Sequence, residues 1–263
     1  MAVRPPARRV ALAAEILEDT FGVPRWAHEL HDPVSTLVGT ILSQNTNDRN
    51  STAAYNNLRK LYPKWENVLS ATEKRVAKAI HSGGLPDIKA KRILGALAKV
   101  RKDSRTGKIS MEFLRGKPGE EVREYLLSIE GVGPKTAAIV MVFSLGIPAF
   151  PVDTHIYRVS KRLGFIPEKT SYDKAHELMG ALVPDKLKAS FHVNLIFLGR
   201  RVCHAHNPEC GACLLRKVCP SAFNKKMFST PGALEKEKLR VGRPVSKIPA
   251  GDSRASFHAM LGK

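Results

Sequence analysis

The stretch SIEGVGPKTAAIVMV, residues 128–142, decides how the rest of the chain is read. Pro134 marks the opening of a helix, where its missing N–H costs nothing and its fixed φ suits the turn. Two glycines separated by one residue stand just before it. They let the backbone turn tightly and aim N–H groups outward from the positive end of a helix, a ready site for an anion. Upstream, EEVREYLLSI (120–129) carries apolar residues at helical spacing, so the unit reads helix, glycine hairpin, helix. Such a unit holds a nucleic-acid phosphate without reading a base. Lys135 occupies the first turn, where a cation is disfavoured by ~0.3–1 kcal/mol and Asp or Glu is the stabilising choice. Either the lysine is simply tolerated there or its misplacement is useful.

The helical pattern extends outward in both directions. Three- and four-residue apolar spacing recurs in segments 34–44, 75–80, 88–100, 120–129, 136–145 and 191–202. Asp87 is a start signal for the third segment, Gly146 with Pro148 a stop for the fifth, and Gly164 a stop after IYRVSKRL. No alternating strand pattern is present, and the fold class is all-α. No apolar run approaches the ~20 residues of a membrane span, and the opening residues lack a signal-peptide pattern; a cytoplasmic, nucleoid-associated protein is expected.

The 263 residues carry 43 Lys and Arg against 24 Asp and Glu, a net charge of +19. Nucleic acid is the first partner such a charge suggests, ahead of an anionic membrane surface or simple solubility. Basic runs at KAKR (89–92) and KVRK (99–102) suit a broad phosphate-contacting face. After Cys219 the pattern breaks up. From Phe223 onward nine Lys and Arg face three Asp and Glu, with little periodicity beyond ALEKEKL, so 224–263 reads as a basic, flexible tail.

All four cysteines fall in CHAHNPECGACLLRKVC: Cys203, Cys210, Cys213 and Cys219, spaced C-x6-C-x2-C-x5-C. Without an export signal two disulfides are disfavoured. One metal centre remains. Structural zinc favours paired tight knuckles, and only one tight pair exists here, whereas unequal long spacers suit a larger iron–sulfide cube.

LLSIEGVGPKTAAIV followed by VDTHIYRVSKRL, with the cysteine loop, resembles the helix-hairpin-helix DNA glycosylases of the endonuclease III family over roughly residues 30–220. The resemblance implies two helical lobes with a DNA-binding cleft, one lobe from 33–148, the other from 8–32 plus 149–223, the latter holding a [4Fe–4S] cluster loop at 203–219. It implies that Lys135 is the nucleophile and Asp153 its partner, though Asp153 also sits where an N-cap is wanted. Gly131, Val132 and Gly133 are then the phosphate-binding hairpin, and Gln44 or Asn45 fills the gap left by a flipped base. Leu85 is the apolar wedge, with core burial as its alternative, and His155 a DNA-contacting residue, with a structural role as its alternative. Ser43 and Asp48 match a polar pocket lining. The sequence departs from the family at Leu127, where relatives carry glutamate, and in the HAHNPE loop, which shifts phosphate docking toward Arg200, Arg201, Arg216, Lys217 or the tail. The implied activity is removal of oxidised pyrimidines from damaged double-stranded DNA by lysine Schiff-base chemistry, with AP lyase activity, by a monomer. A monofunctional mismatch glycosylase acting on adenine or on uracil and thymine, and an iron–sulfur DNA-docking module without catalysis, are the alternatives.

Overall fold

A computed structural model of the chain describes residues 6–22 and 29–241. Among these residues the regular structure is helical, with no strand. The helices are α1 (Pro6–Phe21), α2 (Pro33–Ser43), α3 (Asp48–Leu61), α4 (Trp65–Leu69), α5 (Glu73–Ala79), α6 (Pro86–Asp103), α7 (Gly119–Leu127), α8 (Pro134–Val140), α9 (Thr154–Arg162), α10 (Tyr172–Leu182), α11 (Lys188–Arg201) and α12 (Ala233–Leu239). They form two compact units, one from residues 29–148, the other from 6–22 and 149–241. No helix among the described residues is long and apolar enough to cross a membrane.

The 29–148 unit is organised around α2. Asp32 caps it by accepting from the Ser35 N–H at 2.8 Å, worth about 1 kcal/mol, and Pro33 fills the first position. Residues 33–42 are all buried, because α3, α6 and α8 pack around the helix; the Thr40 hydroxyl donates to the Thr36 carbonyl, and the Thr36 hydroxyl accepts from Ser144 Oγ. Beyond α8 the chain widens into a π-helical turn, Met141–Leu145, and stops at Gly146 in the left-handed conformation (φ 68°), at the expected stop. The start of α6 departs from expectation. It begins at Pro86, so Asp87 is a first-turn acid and Leu85 holds the cap position at φ 50°, ψ 49°. A leucine cannot cap with its side chain, and the left-handed backbone costs it about 1–2 kcal/mol.

The other unit centres on α11, packed against α1 and α9. Val10 and Leu17, Ile156 and Val159, Met179, then Phe191, Leu195 and Leu198 make its core. α9 ends before Gly164 (φ 64°), whose carbonyl accepts from the buried Arg9 guanidinium.

Residues 224–241 do not behave as the flexible tail expected from their charge. Lys225–Met227 form a 3-10 turn and α12 follows. Asn207 N–H donates to the Met227 carbonyl at 2.8 Å, and the Gly211 N–H donates to the buried Glu237 carboxylate at 3.0 Å. A Cβ on Gly211 would lie 2.1 Å from the Glu237 carbonyl, so α12 seats on this glycine. Charge density masked a segment whose ties are polar and local to the cysteine loop. Residues 242–263, the remainder of that expected tail, lie outside the described residues.

Candidate active site

In the hairpin, Gly131 has φ 81°, and a Cβ there would meet Arg92 Cδ at 2.6 Å. Only glycine fits. Gly133 is different: its backbone is extended (φ −99°, ψ −179°), and a Cβ on it would meet nothing within 4 Å. The fold does not require glycine at 133, which leaves the backbone bare toward open space. The Val132 N–H is spent on the Ile129 carbonyl at 3.0 Å and the side chain is buried, so Val132 shapes the turn and offers no amide outward. Lys135 takes the second position of α8, half-buried, with no hydrogen-bond or ion-pair partner among the described residues.

The loop after α2 distinguishes its two amides. Gln44 is occupied at both ends: its Nε2 donates to the Gly131 carbonyl at 3.1 Å, and its Oε1 accepts from Arg92 Nη1 at 3.0 Å. Asn45 is exposed, in the left-handed conformation (φ 52°), with no partner for its side chain among the described residues. Leu85 is 47% exposed, which removes its reading as core. Ser43 Oγ is turned back to the Thr40 carbonyl at 2.8 Å, and Asp48 is the first residue of α3.

Asp153, His155 and the four cysteines belong to the other unit. Asp153 is 9% exposed and caps α9, its Oδ1 accepting from the Ile156 N–H at 2.7 Å. The carboxylate is held rigidly by the helix it starts. His155 is half-buried against α11: a Cβ on Gly199 would lie 2.8 Å from its own. Burial lowers the affinity of His155 for a proton, with Asp153 and a hydrogen bond at the Gly199 backbone opposing it and Arg158 and Arg200 adding to it.

The same helix ropes down the cysteine loop. Arg158 donates from Nε and Nη2 to the Cys203 carbonyl at 3.0 and 2.9 Å, and also to the Gly199 carbonyl. Arg162 reaches the His204 and Ala205 carbonyls at 2.5 and 2.7 Å and lies 3.4 Å from Cys203 Sγ. All four cysteines line one pocket, partly open to solvent. Among the described residues no three His, Cys, Asp or Glu side chains converge on the position of a single ion. Burial pushes the Cys213 and Cys219 thiols up to about 12 and raises Cys210.

Sequence reasoning misses four residues here. Lys89 falls in a run expected to meet phosphates, yet it is 1% exposed and donates to two carbonyls. A signal is present: Lys89, Ile93, Leu97 and Val100 fall on one helical face, and all are buried. Arg92, Arg158 and Arg162 act on partners far off in sequence, which spacing does not reveal.

A glycine hairpin between helices and a four-cysteine loop point to a class, the helix-hairpin-helix proteins of DNA repair. The chain belongs to the HhH-GPD superfamily that includes endonuclease III, residues 38–185 matching the family described as HhH-GPD superfamily base excision DNA repair protein. A protein of Arabidopsis thaliana is 36% identical over 186 residues; the match covers 71% of this chain and 60% of that protein's length. Endonuclease III of Thermotoga maritima is 32% identical over 192 residues, covering 73% of this chain and 84% of the relative. Two solved endonuclease III–DNA complexes, one non-covalent and one a trapped covalent intermediate, each superpose with TM-score 0.70 at 26% identity, covering 84% of this chain and 98% of theirs. The all-α, two-lobed architecture is that of this superfamily, and membership is compatible with an iron–sulfur cofactor.

Proposed function

We propose that this chain is a bifunctional DNA glycosylase and AP lyase of base excision repair, acting on oxidised pyrimidines in duplex DNA, with Lys135 as nucleophile and Asp153 as its partner. The observation that carries the reading is the position of Lys135: half-exposed, unpaired among the described residues, directly behind a hairpin whose Gly133 is bare toward open space. A DNA backbone passing Gly133 meets no side chain there, and the helix end behind it favours a phosphate.

The neutral amine of Lys135 attacks C1′ of the extruded nucleotide, and the base leaves with the electrons of the glycosidic bond and takes up a proton. Nitrogen then gives up one of its two protons, and as the C1′–O4′ bond breaks the ring oxygen keeps the bonding pair and takes up a proton, which leaves a protonated Schiff base. Removal of a C2′ proton expels the 3′ phosphate and nicks the strand. Asp153, fixed by its own helix cap, stabilises cationic character on the sugar and receives protons. Asn45 enters the gap left by the flipped base, since Gln44 is engaged elsewhere, and Leu85 is the wedge beside it.

Cys203, Cys210, Cys213 and Cys219 hold a [4Fe–4S] cluster in this reading. Four thiols from one short loop that line a single pocket suit a ligand taking several thiolates at once. The cluster supplies a rigid, thiolate-anchored fold for the loop, and no step of base removal is assigned to it.

Incubation with thymine-glycol or abasic duplex and borohydride tests the catalytic reading. A covalent adduct that Lys135→Ala abolishes is the expected result. Base release with little adduct indicates a monofunctional mismatch enzyme, and DNA binding with neither outcome indicates a docking module; each overturns the proposal.

A further inference from the structure

Lys89 is among the largest fully buried side chains of the protein, at 1% exposure. Its Nζ donates to the Leu42 carbonyl at 2.8 Å and to the Gly83 carbonyl at 2.8 Å. The first carbonyl lies in the last turn of α2, three residues before Asn45. The second lies two residues before Leu85. One ammonium therefore brings the roots of both exposed tips to within two hydrogen-bond lengths of each other. A Cβ on Gly83 would sit 3.9 Å from the Leu42 oxygen and 3.1 Å from Ala54 Cβ, so the approach of the two segments is close as well as bonded.

Both tips are strained. Asn45 and Leu85 each hold a positive φ, 52° and 50°, that an L-residue rarely adopts. Strain of that kind persists only where the surrounding structure over-determines it. One turn further along α6, Arg92 continues the same device. It bonds Gln44, which in turn bonds the Gly131 carbonyl of the hairpin. A buried lysine is costly in a core unless its donors are satisfied. A leucine at position 89 would give α6 a simpler buried face, so stability alone does not account for a lysine there.

We propose that Lys89 is a positioning residue for base extrusion: from inside the fold it locks the Asn45 loop and the Leu85 turn in one register, so that the gap-filling amide and the wedge enter the duplex together, with Arg92 and Gln44 tying that pair to the hairpin. This rests on the reading of Asn45 and Leu85 given above. The residue touches neither DNA nor the reacting atoms. Its effect falls on the step that unpairs the lesion, and a lesion already unpaired does not need it.

The test compares one lesion, thymine glycol, in two duplexes: paired with adenine, and inside a bubble where it has no pairing partner. Rates are taken per active molecule, titrated as the fraction of enzyme trapped by borohydride on an abasic site. For Lys89→Met we expect the paired rate to fall by about ten- to a hundredfold and the bubble rate to stay within about twofold of the parent. Where Lys89→Met yields too little folded protein, Lys89→Gln, with donors for one carbonyl, is expected to show the same selective loss at smaller size. Equal losses on both substrates, or no loss on either, overturn the inference. Failure of the parent protein on both substrates instead overturns the glycosylase reading on which it rests.

Discussion

At the scale of single residues the two hairpin glycines separate structure from function. Gly131 is demanded by its left-handed backbone and by Arg92 at 2.6 Å from its ideal Cβ, whereas Gly133 is demanded by nothing in the chain. Gly131→Ala is therefore expected to destabilise the protein by about 1–3 kcal/mol. Gly133→Ala should leave urea unfolding nearly unchanged while weakening binding to an abasic duplex, because on the proposed reading its methyl would stand where a phosphate approaches. Equal stability losses would refute that division. Lys89 adds a pH signature. Burial, with the charge of Arg92 adding to it, lowers it from 10.5 to about 8. Between those values the unfolded chain binds more protons than the folded one, so stability rises with pH across that window, and below about 8 the cost of burying the charge is fully present. Urea titrations of Lys89→Met and the parent from pH 7.5 to 10.5 should show the parent gaining on the variant as pH rises. The motifs of this site are legible because the hairpin and the cysteine spacing bring fixed residue types together within a few positions. Lys89 is not, because lysine is usually a surface residue, and its partner carbonyls, one of them 47 positions away, leave no trace in local pattern.

At the scale of elements, α9 joins two features that the sequence presents separately. Its first turn is capped by Asp153, and its last holds Arg162, whose guanidinium bonds the His204 and Ala205 carbonyls and lies against Cys203 Sγ. The 3.6-residue period marks α2, α5, α6, α7, α8 and α11, and the stops at Gly146 and Gly164 are readable too, whereas α3, α4 and α10 are not marked by it. The start of α6 is not readable, since Leu85 occupies a cap position that local propensity assigns to Asp or Ser, and the departure falls at the residue proposed as the wedge. α12 reads as tail because its sequence buries little: Leu234 and Glu237 are its only buried residues, and what seats it is one carboxylate on one backbone amide. If α9 is the anchor of the cysteine loop, Arg162→Leu should loosen the loop while leaving helix content intact. The native protein is expected to show a broad absorption band near ~400 nm from iron–sulfur charge transfer. In the variant that band should bleach several-fold faster under a chelator in air, with unchanged far-ultraviolet circular dichroism. Equal bleaching rates would detach Arg162 from the loop's stability, and a colourless native protein containing zinc would remove the cluster itself.

At the scale of the whole molecule the question is what a net charge of +19 does. Self-repulsion of that size works against a compact fold and is screened over about 10 Å at 0.1 M salt, so a polyanionic partner gives it a use. Part of the charge lies in the last twenty-two residues, where Arg243, Lys247, Arg254 and Lys263 stand against Asp252 alone. Those residues come after α12, so their removal leaves intact the Glu237 tie to Gly211. For every phosphate that these residues neutralise, deleting them should reduce the slope of log Kobs against log salt by about 0.9, and affinity at low salt should fall with it. Trapping on an abasic duplex at saturating enzyme should be unchanged, because no reacting group is removed. Ending the chain at 223 instead also strips α12 from the cysteine loop, and should combine the same loss of slope with faster bleaching of the cluster band. The two truncations separate charge from packing: a flat response of the slope to the shorter deletion would place the phosphate-binding cations on the helical body, and a change in bleaching with that deletion would mean that residues beyond 241 brace the loop as well.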